Sequence, residues 1–243
     1  MHSLSATACG SIRELLLMEM REGEFAQAQR LPSENVLAER LGISRTQLRD
    51  SLASLEREGF ISRLHGVGTV VNRHVLDVDT RMDLEAEFAE MLRRAGYQPA
   101  IAFAEAQEQA CDRLIAQRLH IAEGGRVLCV ARLVTADGRP AIYCEDYIEY
   151  GRIKDASYGD ADLIRPIFDF LERFCFCQPV MDLTELHAAA ADSRLAALLQ
   201  VAEGAPLLYM DEVDYDTRGE PLFCSRQYYV EGILKHTVLR KKI

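Results

Sequence analysis

Residues 31–59, LPSENVLAERLGISRTQLRDSLASLEREG, decide the fold of the first third of this chain. Ser33 is a candidate N-cap, and the apolar residues that follow it predict a short helix that Gly42 ends. Ser44 and Gln47 have the three-residue spacing of a capping box and predict that a second helix begins there. The stretch therefore predicts two helices joined by a tight turn.

The second of these helices has two different faces. Three leucines repeat at spacings of four and three residues and must face a core: Leu48, Leu52 and Leu55. Arg45 and Arg49 lie one turn apart on the other face, with Thr46 nearby. Two short helices around a glycine-containing turn, the second beginning with Arg, Thr and Gln, predict a helix-turn-helix.

The flanking residues extend this motif. Apolar spacing predicts an earlier helix over residues 11–22. After the stretch, residues 60–64 and 69–71 predict two short strands around His65-Gly66-Val67-Gly68, which form a wing. The glycines allow a tight tip whose main-chain amides can approach a sugar-phosphate backbone.

These motifs closely resemble the winged-helix head of GntR-type regulators. The resemblance rests on residues 31–34 and 37–46, on Arg49, Leu52, Leu55 and Glu58-Gly59, and on Gly66-Val67-Gly68-Thr69, whereas Asn35 departs from the family pattern. It implies that the second helix enters the major groove and that the wing contacts the minor groove or backbone. The implied DNA-binding positions are Ser33, Arg45, Thr46, Gln47, Arg49, His65, Gly66 and Gly68. Taken alone, the arginines could form a solvated helix face, and Glu34 is better explained as a first-turn carboxylate than as a DNA contact.

Charge is unevenly distributed. The net charge is −10, yet residues 1–74 hold nine arginines and nine acidic residues, so the whole excess falls on residues 75–243. A neutral to basic head on an acidic chain is compatible with DNA binding. No apolar run approaches the roughly 20 residues of a membrane span, and no signal peptide is evident, so we expect a cytoplasmic protein without a membrane partner.

Seven cysteines, an odd number, are scattered through apolar stretches, which argues against a disulfide framework. We expect reduced thiols, no metal site and no cofactor. Cys175 and Cys177 have one residue between them, rather than the two of a redox or zinc motif, and we interpret them as core residues.

The carboxy-terminal part contains an internal repeat. At an offset of 80, residues 112–128 match residues 192–208, and at an offset of 81 Gly138, Pro140 and Tyr147 match Gly219, Pro221 and Tyr228. Each copy predicts strand, short helix, strand, hairpin, strand. The predicted elements are 100–109, 113–119, 127–136 and 141–149 in the first copy, and 180–188, 193–199, 207–216 and 222–230 in the second. Two such halves predict a mixed or antiparallel sheet with helices against it and a pseudo-twofold relation.

Further elements complete the predicted α+β architecture. Helices are predicted over 84–95 and 163–174, and a last strand near 234–239, ahead of a solvated basic tail. Polar residues after the wing predict a linker over 74–83. The predicted domains are therefore a winged-helix DNA-binding domain over 1–73 and an effector-binding and dimerisation domain over 84–243.

This second layout resembles the UTRA effector domain of the HutC subfamily, whose fold is similar to that of chorismate lyase. The resemblance implies a cleft that binds a small metabolite through Arg132, Glu145, Phe168, Glu185, Ser225 and Tyr229. Arg132 would bind an anion through two hydrogen bonds from its planar guanidinium. Val134 and Val230 stand where sugar-phosphate-sensing relatives carry arginine, so we expect an organic acid rather than a sugar phosphate.

Three functions are compatible with these patterns. The favoured one is a homodimeric, effector-responsive regulator, in most such families a repressor, that binds a palindromic operator in double-stranded DNA. An enzyme of chorismate lyase-like fold is disfavoured because the sequence contains no nucleophile elbow, metal cluster or phosphate loop. An interaction module without DNA would leave the wing and the arginine face unexplained.

Overall fold

The computed structural model describes residues 12–84 and 86–241. The chain divides into two compact units. The first, here called the head, comprises the residues up to Asp83 together with those from Thr237 onward. The second, here called the sheet domain, comprises Leu84–His236.

The head is a winged helix-turn-helix, as predicted. Its main elements are α1 (Ile12–Arg21), α2 (Glu34–Leu41), α3 (Arg45–Arg57), β1 (Ile61–Leu64) and β2 (Gly68–Val71). The two strands pair antiparallel, with Ile61 opposite Val71 and Leu64 opposite Gly68, and form the wing. The three predicted leucines of α3 are buried, and pack with α1 residues such as Leu16 and Met20 that are also fully buried.

Local signals in the sequence explain the turn between α2 and α3. Gly42 ends α2 in the left-handed region, at φ 66°, a conformation that glycine adopts without steric cost. The predicted capping box of α3 is present: the Gln47 amide donates to Ser44 Oγ at 3.2 Å, and the Ser44 amide donates to Gln47 Oε1 at 3.1 Å. Ser33 occupies the N-cap position of α2, but its side chain makes no capping hydrogen bond.

The segment predicted as a linker is instead part of the head. It contains α4 (Arg73–Leu76) and β3 (Thr80–Arg81). Arg81 is buried, lies 4.9 Å from the centre of the Phe60 ring and donates to the Glu58 carbonyl at 2.6 Å. Polar composition suggested a free linker, but the buried Arg81, which donates to the Glu58 carbonyl and pairs with Asp83, holds this segment against the head.

Arg73 anchors the start of the same segment. Its guanidinium donates to the carbonyls of Met20, at 2.5 Å, of Ala28, at 2.7 Å, and of Phe25. These carbonyls belong to the end of α1 and the loop after it, where helix geometry leaves acceptors without partners. One side chain therefore fixes the path of the chain between α1 and α2.

The end of the chain also belongs to the head, which differs from the predicted boundary of 84–243. The Met82 amide donates to the Thr237 carbonyl at 2.8 Å, beside the short strand β10 (His236–Thr237). Lys241 donates to the carbonyls of Glu56, at 2.8 Å, and Arg57, at 2.5 Å, at the end of α3. A cation there is favoured by the helix dipole. This part of the basic tail is therefore bound rather than simply solvated.

The sheet domain confirms the internal repeat. Its strands are β4 (Pro99–Ala110), β5 (Arg126–Ala136), β6 (Arg139–Glu149), β7 (Met181–Ala190), β8 (Pro206–Tyr215) and β9 (Pro221–Val230). They form one six-stranded antiparallel sheet in the order β4-β5-β6-β9-β8-β7. The order is symmetric about the β6–β9 pair, so the pseudo-twofold relation passes between these two strands.

Two helices from the repeat cover one face of the sheet. They are α6 (Arg113–Arg118) and α9 (Ser193–Leu199). Each begins at a capping aspartate. The Ile115 amide donates a hydrogen bond to Asp112 Oδ1, and the Leu195 amide donates one to Asp192 Oδ1. The two helices pack on side chains that include Tyr147 and Tyr143 respectively. We call this side of the sheet the Tyr147 face.

The opposite side, here called the Arg132 face, is covered by elements between the two copies. They are α7 (Asp160–Leu163), α8 (Ile167–Phe170) and a π-helical turn (Leu171–Cys175), and a shorter helix, α5 (Phe88–Arg94), precedes the sheet. The single helix predicted over 163–174 is therefore broken. Pro166 disfavours helical geometry in the residue before it, which explains the break between α7 and α8.

Candidate DNA interface and effector face

All eight positions predicted to bind DNA are exposed in the head: Ser33, Arg45, Thr46, Gln47, Arg49, His65, Gly66 and Gly68. The beginning of α3 projects its polar side chains away from its buried leucines, because helical residues three or four apart share one face. The tip of the wing exposes His65 and two glycines with positive φ, 75° at Gly66 and 102° at Gly68. A side chain at either glycine would be strained in this turn.

The two arginines in the first turns of α3, Arg45 and Arg49, differ in their partners. Arg49 Nε donates to Glu34 Oε2 at 2.7 Å, and both side chains are partly exposed. This ion pair joins the start of α2 to α3, a contact that sequence spacing did not predict. The Arg45 side chain forms no hydrogen bond or ion pair with another residue in the described part of the chain. The guanidinium of Arg45 is therefore free to bind a phosphate or a base edge.

Gln47 and Ser33 also have defined hydrogen-bonding capacity. Gln47 Oε1 already accepts from Ser44, so the side-chain NH2 is the part of Gln47 that remains free to bind a base or phosphate. Ser33, which makes no capping bond, keeps its hydroxyl free. Arg30 adds a cation that sequence reasoning missed: it pairs with Val70 by a β-bridge, and its guanidinium donates to the Val67 carbonyl at 3.4 Å.

A buried polar cluster lies on the Arg132 face of the sheet domain. Arg132 is 3 % exposed, its Nη1 lies 2.5 Å from Asp146 Oδ2, and its Nε donates to the Leu163 carbonyl at 2.9 Å. The fully buried Ser225 donates to Asp146 Oδ1 at 2.7 Å. Asp146 therefore accepts from both halves of the repeat, which explains why a carboxylate is tolerated in the core.

One donor of this cluster is unsatisfied. Arg132 Nη2 is buried and has no hydrogen-bond partner within the described residues. A buried guanidinium nitrogen without an acceptor is costly, and a bound acceptor atom would relieve the cost. This nitrogen is the clearest point on the Arg132 face at which a ligand oxygen could bind.

Other side chains surround the cluster with apolar surface and carboxylates. Tyr229 donates its hydroxyl to Gln227 Oε1 at 2.6 Å, and its ring meets Phe88 edge-on at 6.2 Å. Phe168 packs edge-on against Phe223, also at 6.2 Å. Burial raises the pKa of Glu87 to about 7; the Arg132 charge lowers it, while nearby carboxylates, including those of Asp169 and Asp146, raise it further. Sequence reasoning missed Glu87, Asp146 and Gln227.

Glu145 and Glu185, both predicted to contact the effector, do not join this cluster. Neighbouring residues on a strand point to opposite sides, so Glu145 lies on the Tyr147 face and Asp146 on the Arg132 face. There Glu145 accepts from Tyr143, Tyr147 and Arg194 at 2.8–3.1 Å. Glu185 lies 3.7 Å from Arg118 and 3.5 Å from His187. Four of the six predicted positions thus share one face, and the two glutamates lie on the other.

Within the described residues, no helix is long and apolar enough to cross a membrane. The same residues contain no group of three or more His, Cys, Asp or Glu side chains placed to hold a metal ion.

Comparison with known proteins finds one family match in each of the two units. Residues 94–231 match the family described as UTRA domain, and residues 9–71 match the bacterial regulatory proteins of the gntR family. The transcriptional regulator Rv0792c of Mycobacterium tuberculosis is 28% identical over 224 residues, which cover 90% of this chain and 80% of that protein. The repressor NagR of Bacillus subtilis is 25% identical over 221 residues, which cover 90% and 88%.

Solved structures show the same fold. YydK from Bacillus subtilis superposes with a TM-score of 0.76 at 19% identity, covering 95% of this chain and 99% of that chain. PhnF from Mycobacterium smegmatis gives a TM-score of 0.60 at 20% identity, covering 87% of this chain and 91% of that one.

The Arg132–Asp146 pair leads to a testable expectation about stability. Asp146→Ala should lower the free energy of unfolding by about 3–5 kcal/mol, because it leaves a buried guanidinium without its counter-ion. Urea unfolding of the full chain followed by circular dichroism measures this, as the chain has no tryptophan.

Glu108→Ala, which breaks an exposed pair with Arg126, is the matched control and should cost less than about 1 kcal/mol. The double variant Arg132→Met with Asp146→Leu should recover most of the loss. Equal stability of the Asp146→Ala and Glu108→Ala variants would contradict the role given to the buried pair.

Proposed function

This chain belongs to the UTRA-domain family of GntR-type transcription regulators, and on that premise we propose that it is a repressor whose affinity for operator DNA changes when a small molecule binds the Arg132 face. The observation that carries the DNA-binding part is the exposed polar start of α3, backed by buried leucines and followed by a glycine-tipped wing. The relatives that match along most of their length are regulators, which disfavours the alternative of an enzyme. Because it acts on DNA, we expect it in the cytoplasm.

The proposed DNA contacts follow from the two arginines in the first turns of α3. Arg45 has no partner within the described residues and is free to donate two hydrogen bonds to the edge of a guanine in the major groove. Arg49 is oriented by Glu34 and can bind a base or phosphate without losing much side-chain freedom. Ser33, Thr46, Gln47 and the wing residues would then bind backbone or base edges.

A palindromic operator requires two heads related by a twofold axis, and we propose that the sheet domain supplies the dimer. Strand β7 is one of the two edges of the sheet, and exposed large apolar side chains concentrate on it and just before it: Val180, Met181, Leu183 and Leu186. At the other edge, most exposed side chains of β4 are small or polar: Ala100, Glu105, Gln107 and Glu108 among them.

A second copy of the chain is the occupant that best fits the β7 edge. An unprotected edge strand presents unpaired main-chain donors and acceptors. Two identical strands that pair antiparallel obey twofold symmetry, and would cover both these groups and the apolar side chains. The same symmetry would present the two heads to the two halves of a palindrome.

The chemistry of the Arg132 face favours an effector of low charge. Arg132 already faces Asp146, so only its Nη2 is left to bind an acceptor. The neighbouring Asp169 carboxylate, and Glu87 to the extent that it is ionised near its pKa of about 7, make the face less positive and disfavour a doubly charged phosphate. A small organic acid that places one carboxylate oxygen at Nη2, with its apolar part near Phe168 and Tyr229, meets these constraints.

The first prediction concerns DNA recognition. Arg45→Ala should weaken binding to a specific operator by about 1–3 kcal/mol, roughly 5- to 150-fold, because a base-reading guanidinium is lost. Fluorescence anisotropy at fixed salt measures this, with an operator selected from a random duplex pool by the unaltered protein. Arg139→Ala, an exposed arginine of the sheet domain, is the control and should bind normally. Unchanged affinity of the Arg45→Ala variant would remove Arg45 from the recognition surface.

The second prediction concerns assembly. Leu183→Glu should convert a dimer to a monomer in sedimentation experiments, since it places a charge at the centre of the exposed apolar edge. Leu114→Glu alters an exposed leucine of α6 and should leave the dimer intact. A dimer that persists in the Leu183→Glu variant would locate the interface elsewhere.

The third prediction concerns the effector. In calorimetric titration, members of a panel of small carboxylic acids should bind and should release operator DNA, whereas sugar phosphates should not. Arg132→Lys keeps a charge beside Asp146 but lacks the planar fork, and should weaken effector binding about tenfold with unliganded operator affinity unchanged. Binding by phosphates alone would contradict the proposed effector class.

A further inference from the structure

Two cysteines stand at the exit of the π-helical turn in the sheet domain. Cys175 ends the turn, and Phe176 then reverses the chain in the left-handed region, at φ 54° and ψ 39°. The Cys177 amide donates back to the Leu171 carbonyl at 3.3 Å, which closes the reversal. Phe176 itself is 70 % exposed, so the turn lies at the surface.

This local geometry suits a disulfide. Residues two apart in a chain with helical φ and ψ angles, of either hand, have Cα atoms about 5.4 Å apart. That separation lies inside the range of about 4.4–6.8 Å that disulfides occupy. Both cysteines also pack against the same apolar cluster, in which Cys175 is buried and Cys177 partly buried. Closing the bond therefore needs rotation of side chains rather than movement of distant segments.

The two thiols have different surroundings. Cys175 is buried in the apolar cluster that contains Phe170 and Phe174, whereas Cys177 is only partly buried. A basic loop is tied to the same turn: the Lys154 amide donates to the Phe174 carbonyl at 2.8 Å. The Cys175 thiol is therefore shielded from solvent, and the Cys177 thiol lies near the surface beside positive charge.

These surroundings separate the acidities of the two thiols. A hydrogen bond from Cys175 lowers the pKa of Cys177 to about 7, against the effect of burial, and the charges of Arg152 and Lys154 lower it further, while Asp216 opposes them. The hydrogen bond to Cys177 and burial raise the pKa of Cys175. At neutral pH, Cys177 thus has a substantial thiolate fraction, and Cys175 holds its proton.

The other cysteines whose pKa is shifted in the described residues move the other way. Burial raises the pKa of Cys129 to about 12 and that of Cys224 to about 12, and it also raises the pKa of the fully buried Cys144. Only a thiolate reacts rapidly with oxidants, so these buried thiols are expected to be inert.

We propose that Cys175 and Cys177 form a redox-sensitive dithiol that a peroxide converts to an intrachain disulfide. The Cys177 thiolate attacks one oxygen of hydrogen peroxide, the O–O bond breaks, and the departing hydroxide takes a proton to become water. Cys177 is then a sulfenic acid. The Cys175 sulfur attacks the Cys177 sulfur and loses its proton, the S–O bond breaks, and a second water leaves. The two thiols lose two electrons and the peroxide gains them.

The dithiol is a property of the sheet domain alone and does not depend on the proposed function. Its position nevertheless matters for the Arg132 face. The π-helical turn follows α8 directly, and α8 carries Phe168. Oxidation would therefore alter the end of a segment that covers this face.

The test uses the reduced full-length chain and dilute hydrogen peroxide. After treatment, the protein is denatured, alkylated and digested with trypsin, and the peptide 174–194, which contains both cysteines, is analysed by mass spectrometry. The expected product is unalkylated and lighter by two hydrogen atoms. Before oxidation, iodoacetamide should label Cys177 at least about tenfold faster than Cys129 at pH 7, with a midpoint of the rate near pH 7.

Variants separate the roles of the two thiols. In Cys175→Ala, the disulfide should be lost and dimedone should trap Cys177 as a sulfenic acid. This sulfenic acid should form more slowly than the disulfide does in the unaltered chain, because the hydrogen bond that lowers the Cys177 pKa is lost as well. Cys177→Ser should leave Cys175 unoxidised at the same peroxide concentration. Cys129→Ser is the matched control and should form the disulfide at the normal rate. The proposal is overturned if peptide 174–194 stays a dithiol, if it gains oxygen without forming the disulfide, or if Cys177 reacts no faster than Cys129.

Discussion

The sheet domain depends on the pairing of β6 with β9, the two strands that meet at the pseudo-twofold axis. This pairing sets Asp146 directly opposite Ser225, so a carboxylate from one copy of the repeat accepts a hydroxyl from the other. Arg132 neutralises the same carboxylate from β5. A buried charge is tolerated only where each of its partners is in place. The register of β6 and β9 therefore also determines where the side chains of the candidate effector site lie.

Features with local causes were predictable from the sequence. The capping box of α3, its leucine face and the glycine that ends α2 each depend on residues a few positions apart, and the structure contains all three. The repeat was equally predictable, because matched aspartate caps, glycines and strand patterns recur at a fixed offset. Family resemblance then added the order of the elements, and the comparisons support it.

Features that depend on distant contacts were not predictable. Arg81 was assigned to a linker on the polarity of its segment, yet it is buried and donates to the Glu58 carbonyl of the head. The three carbonyls that Arg73 binds were likewise not predicted by any spacing rule. Of the candidate effector residues, Arg132 and Ser225 both bind Asp146 on one face of the sheet. Glu145 lies on the other face, because neighbouring residues along a strand point to opposite sides. No spacing rule identifies Glu34 as the partner of Arg49, because the two are on different helices.

The return of the chain end to the head makes the sheet domain an insertion within the head rather than an appendage after it. A head fragment cut at Asp83 would lose the Thr237 carbonyl that accepts from Met82 and the Lys241 ammonium that closes the end of α3. A minimal DNA-binding fragment would have to rejoin residues 12–83 to residues 237–241 through a short artificial connection.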